Sequence, residues 1–396
     1  PNEKHRFNVF ASAQHINRDS YYGGGQDPNA YGNTTDLNWM AGSQYVYSFG
    51  KCIFMPADLT AGIEFNQDKL EDNMWGYHRT VDQKVNIGSA FFQNEWKNEH
   101  WGFLIGGRLD KHNLIDHVIF SPRANLRYNP TENINLRFSY SSGFRAPQAF
   151  DEDLHVENVG GNVAMVELAD NLKEERSQSL SASADIYHRF GAFQVNFLVE
   201  GFYTKLSDVF ALTDGEIVDG ILTRTRYNAP GARVMGLTLE GKMAYLTKFQ
   251  LQAGITLQQS HYSEPHVWNP DAPAVKKMMR TPNTYGYFTA TYTPIKPLSI
   301  ALSGTYTGSM LVPHEPVPGF LEKPITVNTK DFFDIGLKAA YDFKLYKSMN
   351  LQVNAGVQNI FNAYQNDFDK GADRDSGYIY GPSLPRSFFA GVKISY

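Results

Sequence analysis

Apolar and polar side chains alternate along most of this chain, and residues 387–396 show the pattern clearly. One face of this segment is apolar and holds Phe388, Ala390, Val392, Ile394 and Tyr396. The opposite face is polar and holds Ser387, Lys393 and Ser395. Side chains on a strand have period two, so this pattern predicts a β-strand with lipid on one side and a wet or filled lumen on the other. An edge strand of a soluble sandwich is the alternative.

The same alternation recurs along the whole chain and predicts about sixteen strands of roughly membrane-spanning length. We place them at residues 5–17, 36–49, 58–68, 85–97, 101–110, 122–129, 133–145, 177–188, 192–206, 233–245, 248–261, 284–294, 298–308, 332–343, 349–361 and 385–396. Lipid-facing positions in these strands are almost free of charge, as a transmembrane barrel requires. Because an unpaired backbone group costs several kcal/mol in a bilayer, such a sheet is expected to close on itself.

The predicted connections alternate between short and long. Short turns are expected at residues 98–100, 129–132, 188–191, 247–248 and 294–297. Long loops are expected at residues 18–36, 146–176, 207–232, 262–283, 309–331 and 362–385. Outer-membrane barrels have short periplasmic turns and longer extracellular loops, and this order returns the C-terminus to the periplasmic side. A soluble sandwich has no reason to keep every second connection long.

Composition supports the barrel and excludes several classes of protein. The 396-residue chain has 23 Tyr, 27 Phe and 33 Gly, yet its mean hydropathy is -0.40. No stretch approaches the length of a transmembrane helix. The single Cys52 excludes an internal disulfide framework and a cysteine-based zinc site. The net charge is -5 and the Lys and Arg residues are scattered, so the sequence has no basic patch that would indicate nucleic-acid binding.

Five short motifs lie in order within residues 136–396. They are Phe144-Arg145-Ala146-Pro147; residues 169–177, which begin Ala-Asp-Asn-Leu-Lys; Tyr227-Asn228-Ala229 with residues 232–240; residues 357–362 with Tyr364; and Pro385-Arg386-Ser387-Phe388. In this order they resemble the sequence boxes of TonB-dependent outer-membrane receptors. The second departs from the family pattern, because Asp170 and Glu174 stand where prolines are expected. Residues 1–135 resemble the family only by their strand pattern.

The resemblance implies an all-β, antiparallel transmembrane barrel of 22 strands, filled by an N-terminal plug domain. About sixteen strands and no plug are recognisable, so residues 1–396 are expected to be the C-terminal part of such a barrel, and Pro1 in place of a starting Met fits a mature form or a fragment. The implied function is active import of a scarce nutrient: an iron chelate such as a siderophore, haem, or cobalamin. The implied partners are outer-membrane lipid, the TonB complex through the N-terminal region, the nutrient itself, and a surface lipoprotein over the loops.

Two other classes remain open. A passive 16-stranded porin has a permitted even strand number, but the motifs and the long loops argue against it. An outer-membrane enzyme or adhesin needs a reactive group at the lumen or rim. The sequence contains no Gly-x-Ser-x-Gly, His-Glu-x-x-His or phosphate-binding glycine loop in a strand–helix context. We therefore predict no enzyme activity and no required cofactor.

Ligand contacts are expected in the long loops and the lumen. The candidate residues are Tyr21, Tyr22, Arg145, His155, Tyr262, Trp268 and Tyr378. Tyr and Trp can stack on a siderophore, corrin or porphyrin, although interfacial aromatic belts use the same residues. Arg145 can instead pin its own loop through its fork of donors, and this reading is favoured.

Two candidate sites concern metals. A histidine between the first two motifs resembles the arrangement in haem receptors, so His155 is a candidate axial ligand, with a solvated loop histidine as the alternative. Asp369, Asp373 and Asp375 space oxygen ligands closely enough for calcium. The run lacks the closing glutamate of an EF-hand, and a solvated acidic loop is the favoured reading.

Overall fold

The computed structural model describes residues 4–21, 30–154, 163–219, 221–346, 348–371, 374–382 and 384–396. In these residues it contains twenty β-strands and two short 3-10 turns, Trp75–Tyr77 and Asp151–Leu154. The strands are β1 (His5–Tyr21), β2 (Tyr31–Cys52), β3 (Met55–Met74), β4 (Arg79–Lys97), β5 (Trp101–His112), β6 (Ile119–Thr131), β7 (Ile134–Arg145), β8 (Val163–Leu168), β9 (Glu175–Phe190), β10 (Phe193–Val218), β11 (Ile221–Tyr245), β12 (Phe249–His266), β13 (Val275–Lys277), β14 (Thr284–Ile295), β15 (Leu298–Thr307), β16 (Leu311–His314), β17 (Ile325–Asn328), β18 (Phe332–Tyr346), β19 (Met349–Gln358) and β20 (Ser387–Ser395).

Sixteen of these strands form one antiparallel wall, which confirms the predicted fold class and strand pattern. Leaving out β8, β13, β16 and β17, each strand pairs with the next one along the chain from β1 to β20. In the described residues, the register pairs β1 with β2 and β20 with β19. Among the same residues, no helix is long and apolar enough to cross a membrane.

The two faces of the wall differ as the alternation predicts. Large apolar side chains on one face are solvent-accessible, for example Phe7, Ile63 and Phe138. Near the short turns, rings on this face stack on one another, with centroids of Trp101 and Tyr128 4.2 Å apart. Such rings are typical of a membrane interface, where an amphipathic aromatic side chain is stable.

On the opposite face, several aromatic rings approach glycines of the neighbouring strand closely. At Gly356 an added Cβ would lie 2.5 Å from the Phe389 ring and 2.5 Å from the Leu337 carbonyl oxygen. Phe91 covers Gly62 in the same way. Glycine at these positions lets a ring lie against the backbone, which pins the strand register.

One predicted loop is wrong. Residues 207–232 continue the β10–β11 ladder, which runs from Phe193↔Tyr245 to Val218↔Ile221. The segment has its own cross-strand partners, such as Phe210↔Asn228, so its backbone groups are paired without a membrane around them. The β1–β2 ladder likewise extends to Tyr21↔Tyr31, into the predicted loop at residues 18–36. The wall is therefore taller on its long-loop side than the sequence indicates.

Candidate functional site

The connection between β7 and β9 folds back onto the inner face of the wall. The Ala149 amide donates to Gln83 Oε1 at 2.6 Å, and Gln148 Oε1 lies 3.3 Å from His112 Nε2. Further along, β8 pairs in parallel with residues 221–226 of β11. The described parts of the 146–174 loop, residues 146–154 and 163–174, thus contact the inner side of β4 and β5 and the tall β10–β11 hairpin.

A buried charge network, the Asp153 network, holds this loop. Arg226 of β11 donates to the Asp153 carboxylate at 2.7 Å, and the two side chains are 6% and 2% exposed. Arg79 donates to the Asp153 backbone oxygen and to Asp72 at 2.8 Å, and Asp72 also accepts from Thr34 at 2.6 Å. Buried charges are tolerated only when they are paired and hydrogen-bonded. The network therefore ties the loop to β2, β3, β4 and β11.

Arg145 serves the same loop. Its guanidinium carbon lies 3.7 Å from the centre of the Phe150 ring, and its Nη1 lies 3.9 Å from a Glu175 oxygen. Arg226 approaches the Phe150 ring at 5.2 Å. The quadrupole of an aromatic ring attracts a cation held over its face. These contacts agree with the expected loop-pinning role of Arg145, and a direct ligand contact stays a prediction.

The second and third sequence motifs contact each other. Asn228 accepts from the Lys173 amide at 2.7 Å and donates to the Lys173 carbonyl at 3.0 Å. Glu174, which replaces an expected proline, is buried; it accepts from Arg176 at 2.7 Å and lies 3.0 Å from His117 Nε2. Motifs that are distant in sequence therefore meet to anchor the return of the loop to β9.

A second cluster, the Asp367 cluster, lies in the connection between β19 and β20. Tyr380 and Tyr378 both donate to the Asp367 carboxylate, at 2.6 and 3.1 Å. Burial would raise the pKa of Asp367, but the hydrogen bonds from the two tyrosines leave that pKa below its usual value. Burial and the Asp367 charge raise the pKa of Tyr378 to about 12 and that of Tyr380 still further.

His314 joins this cluster to the β16–β17 hairpin. Its ring stacks on Tyr378 with 3.8 Å between centroids and a 6° interplanar angle. His314 Nε2 lies 2.9 Å from Asp369 Oδ2, and both side chains are almost fully buried. Tyr378 itself is only 3% exposed. Two extracellular connections, 308–331 and 359–386, are thereby packed into one unit.

Asp367→Asn is expected to lower the pKa of Tyr378 from about 12 toward its ordinary value of 10, because the negative charge is removed. In the native protein the stabilisation from Tyr378 is complete below pH 10 and is lost as pH rises through about 12. Titration of tyrosinate absorbance, compared with Tyr378→Phe, checks this result. The exposed Glu322→Gln serves as control, and an equal shift in that variant would contradict the assignment.

The predicted ligand residues do not form one cluster. Tyr21 packs against Tyr31 at 4.7 Å, and Tyr262 packs against His266 at 4.7 Å. Trp268 lies in the β12–β14 connection, and its buried indole N–H has no hydrogen-bond partner among the described residues. Tyr22 and His155 lie outside the described residues. Their ligand roles stay predictions.

The calcium prediction also stays untested. Asp369 accepts from the Asp375 amide at 3.1 Å, and Asp375 accepts from the Glu315 and Gly377 amides at 2.9 and 2.7 Å. Asp373 lies outside the described residues. Across the part of the chain that is described, no three metal-ligating side chains come together to hold an ion.

A cavity of about 850 Å³ opens between the tip of the β3–β4 hairpin and the 146–174 loop. Residues 77–84 line one side, and residues 165–170 line the other. Three of its lining residues, Tyr77, Met165 and Ile221, also pack against the buried Met74. The inner loop, the two hairpins and this cavity form the candidate ligand-binding region.

Sequence reasoning missed Asp153 and Arg226 of the Asp153 network, and Asp367 and His314 of the Asp367 cluster. The available signal was weak: each is a charged or titratable residue in a predicted loop, where a solvated side chain is the default. Only the pairing partners, brought together by the fold, distinguish them from solvated charges.

Comparison of this chain with known proteins identifies one matching family model and several solved structures with the same fold. Residues 2–360 match the family model described as TonB dependent receptor-like, beta-barrel. A mutant of the ferric enterobactin receptor PfeA from Pseudomonas aeruginosa superposes with a TM-score of 0.71 at 17% identity, covering 98% of this chain and 59% of that one. The siderophore receptor PirA from Acinetobacter baumannii gives 0.69 at 16%, covering 98% and 59%. The ferric-catecholate import receptor Fiu from E. coli K12 gives 0.70 at 14%, covering 99% and 62%.

These similarities have clear limits. The chain spans less than two thirds of the length of the three receptors. Identities below a fifth establish the shared fold and not a shared ligand. A comparison with curated proteins gives no match. The family match extends over most of the sequence, and its members are outer-membrane receptors rather than enzymes. The chain therefore belongs to the TonB-dependent receptor β-barrel family and is a protein of the bacterial outer membrane.

Proposed function

We propose that this chain is the barrel part of an outer-membrane receptor that binds a ferric siderophore at its extracellular side and imports it with energy supplied through TonB. The main support is the family match over residues 2–360. The ferric enterobactin, siderophore and ferric-catecholate receptors that share its fold favour a siderophore over haem or cobalamin. The family match also disfavours a passive porin.

The arrangement of the loops suits capture followed by gated passage. The 146–174 loop covers part of the inner wall, and the Asp367 cluster packs two further connections together. The 146–174 loop contributes Pro147, Asp153 and residues 165–170 to the wall of the cavity beside residues 77–84. A ligand that binds one arrangement of such walls better than another shifts the population of conformations.

The proposal is tested by measuring nutrient uptake in a strain whose own receptor gene is deleted and in the same strain with the gene restored on a plasmid. Four labelled nutrients are supplied in parallel: a ferric catecholate siderophore, a ferric hydroxamate siderophore, haem and cobalamin. We expect uptake of a ferric siderophore that requires both the receptor and TonB. Uptake that persists without TonB would support a passive channel. Uptake of haem or cobalamin alone would contradict the siderophore assignment.

A further inference from the structure

Four basic residues form a continuous row across strands β10 to β13. Lys205 lies directly opposite Arg233, Arg233 lies opposite His261, and His261 lies opposite Lys277. Side chains of directly paired residues on neighbouring strands share one face of a sheet. The row therefore places four basic side chains next to one another, and we call these four residues the basic row.

The basic row belongs to the lipid-facing side of the wall. Leu237 lies four positions from Arg233 on β11, and Leu257 lies four positions from His261 on β12. Residues an even number of positions apart on a strand share a face. Leu237 and Leu257 are paired with each other, and both side chains are exposed. The row is thus an exception on a face that is otherwise almost free of charge.

The level of the row along the strands corresponds to a membrane interface. Phe193 and Tyr245 are paired at the short-turn end of the β10–β11 ladder, and their ring centroids lie 4.6 Å apart. Aromatic pairs of this kind are typical of an interface. Lys205 lies twelve positions from Phe193, and Arg233 lies twelve from Tyr245. A tilted strand crosses the hydrocarbon in about 9–11 residues, so the two cations lie at the opposite interface, among the outer-leaflet headgroups.

The described part of the wall supplies no counter-charge to Lys205 and Arg233. Both side chains are exposed, and neither forms a hydrogen bond or an ion pair with the described residues. The residue opposite Lys205 on β9 is the uncharged Gln178. Like charges directly opposite each other destabilise a sheet. An anion held between Lys205 and Arg233 would remove this repulsion.

An apolar groove of about 870 Å³ continues from the row toward the middle of the membrane. Tyr203 and Met235 line it, and they lie two positions from Lys205 and Arg233 along their strands. Gly201 also lines the groove, and a Cβ added there would meet nothing within 4 Å. The outer face therefore combines a space for a hydrocarbon chain with cations at the headgroup level.

We propose that the basic row and the groove together bind a phosphorylated lipid of the outer leaflet, with a phosphate between Lys205 and Arg233 and an acyl chain in the groove. A guanidinium binds phosphate through two parallel hydrogen bonds, and an ammonium group adds a compact charge. Clusters of Lys and Arg at a membrane surface attract anionic lipid in the same way. The inference concerns the outer face of the wall and does not depend on the proposed function. Free phosphate is the competing occupant.

Native mass spectrometry of the full receptor in detergent tests the charge recognition, with lipid A that carries two phosphates as the added probe. Lys205→Gln/Arg233→Gln is expected to weaken lipid A binding by about tenfold or more. Lys323→Gln/Lys330→Gln removes two exposed cations from an extracellular connection and is expected to bind like the native receptor. Lys205→Arg/Arg233→Lys keeps both charges and is expected to retain binding. Heat-modifiable migration on a gel verifies that each variant is folded.

The groove is tested separately from the charges. Gly201→Leu fills part of the groove and is expected to weaken lipid A binding by about tenfold. Gly241→Leu is the matched control, because Gly241 also has nothing within 4 Å of an added Cβ but does not line the groove. We expect this control to bind like the native receptor.

Three outcomes would overturn the proposal. The first is equal binding of lipid A with and without its phosphates, and the second is equal binding by the native receptor and Lys205→Gln/Arg233→Gln. The third is displacement of lipid A by millimolar inorganic phosphate together with unchanged binding in Gly201→Leu, which would assign the row to a free anion. Siderophore uptake by the same variants tests the proposed function independently.

Discussion

Asp153→Ala is expected to release the 146–174 loop from the wall, at a cost of about 3–5 kcal/mol in the free energy that holds it. The substitution removes the carboxylate to which the buried Arg226 guanidinium donates at 2.7 Å, and the Phe150 amide also loses its acceptor. Amides in the β8–β11 ladder are then expected to exchange about a hundredfold faster or more, measured by native-state hydrogen exchange.

Two variants separate this effect from a general loss of stability. Asp170→Ala changes an exposed carboxylate of the same loop and is expected to leave the β8–β11 amides unchanged. Asp153→Ala/Arg226→Ala removes both charges and is expected to regain part of the protection, because the buried guanidinium is removed together with the carboxylate it binds. Equal exchange in Asp153→Ala and Asp170→Ala would falsify the role of the buried pair.

Gly356→Val is expected to prevent correct pairing of β19 with its neighbours, with a cost of about 3 kcal/mol or more, at the upper end of overpacking effects. A Cβ at this position meets the Leu337 carbonyl oxygen at 2.5 Å and the Phe389 ring at 2.5 Å. The ring can turn away, but the carbonyl belongs to the adjacent strand and cannot. The folded fraction is measured by heat-modifiable migration on a gel.

Gly241→Val is the matched control, because nothing lies within 4 Å of the Cβ it would add. We expect this variant to fold like the native protein. Gly356→Val/Phe389→Ala removes the ring and is expected to recover only partly, since the Leu337 oxygen stays in place. Full recovery in that double variant would assign the whole cost to the ring and contradict the backbone argument.

The antiparallel wall could be predicted because it is determined by features of neighbouring residues in the sequence. Alternation with period two reports which residues face lipid, and the short turns fix which strands are neighbours. The motif residues Asn359 and Asn362, read from sequence as a strand exit, both adopt positive φ values, 49° and 51°. Asn359 holds the Ala363 and Leu384 carbonyls at 2.8 and 3.0 Å, which explains why this residue type stands there.

The candidate site could not be predicted because it depends on contacts between residues that are far apart in the sequence. Asp153 and Arg226 are 73 positions apart, and nothing near either residue specifies the other. Tyr378, predicted as a ligand residue, stacks on His314 and is buried, a contact that its own segment does not specify; its ligand role stays a prediction. The extension of β10 and β11 was missed because residues 207–232 contain Gly215, Pro230 and Gly231, residue types common in turns, although the segment pairs with its own other half.

The parallel pairing of β8 with β11 also constrains the order of assembly. β8 precedes β9 and β10 in the chain, yet its partner is residues 221–226 of β11. Its hydrogen bonds therefore cannot form until the chain has passed through β9 and β10 and returned along β11. Contacts between distant segments must first overcome the entropy of closing the intervening chain. Pairing of β8 with β11 is therefore expected to be a late step of folding, after the β10–β11 hairpin has formed.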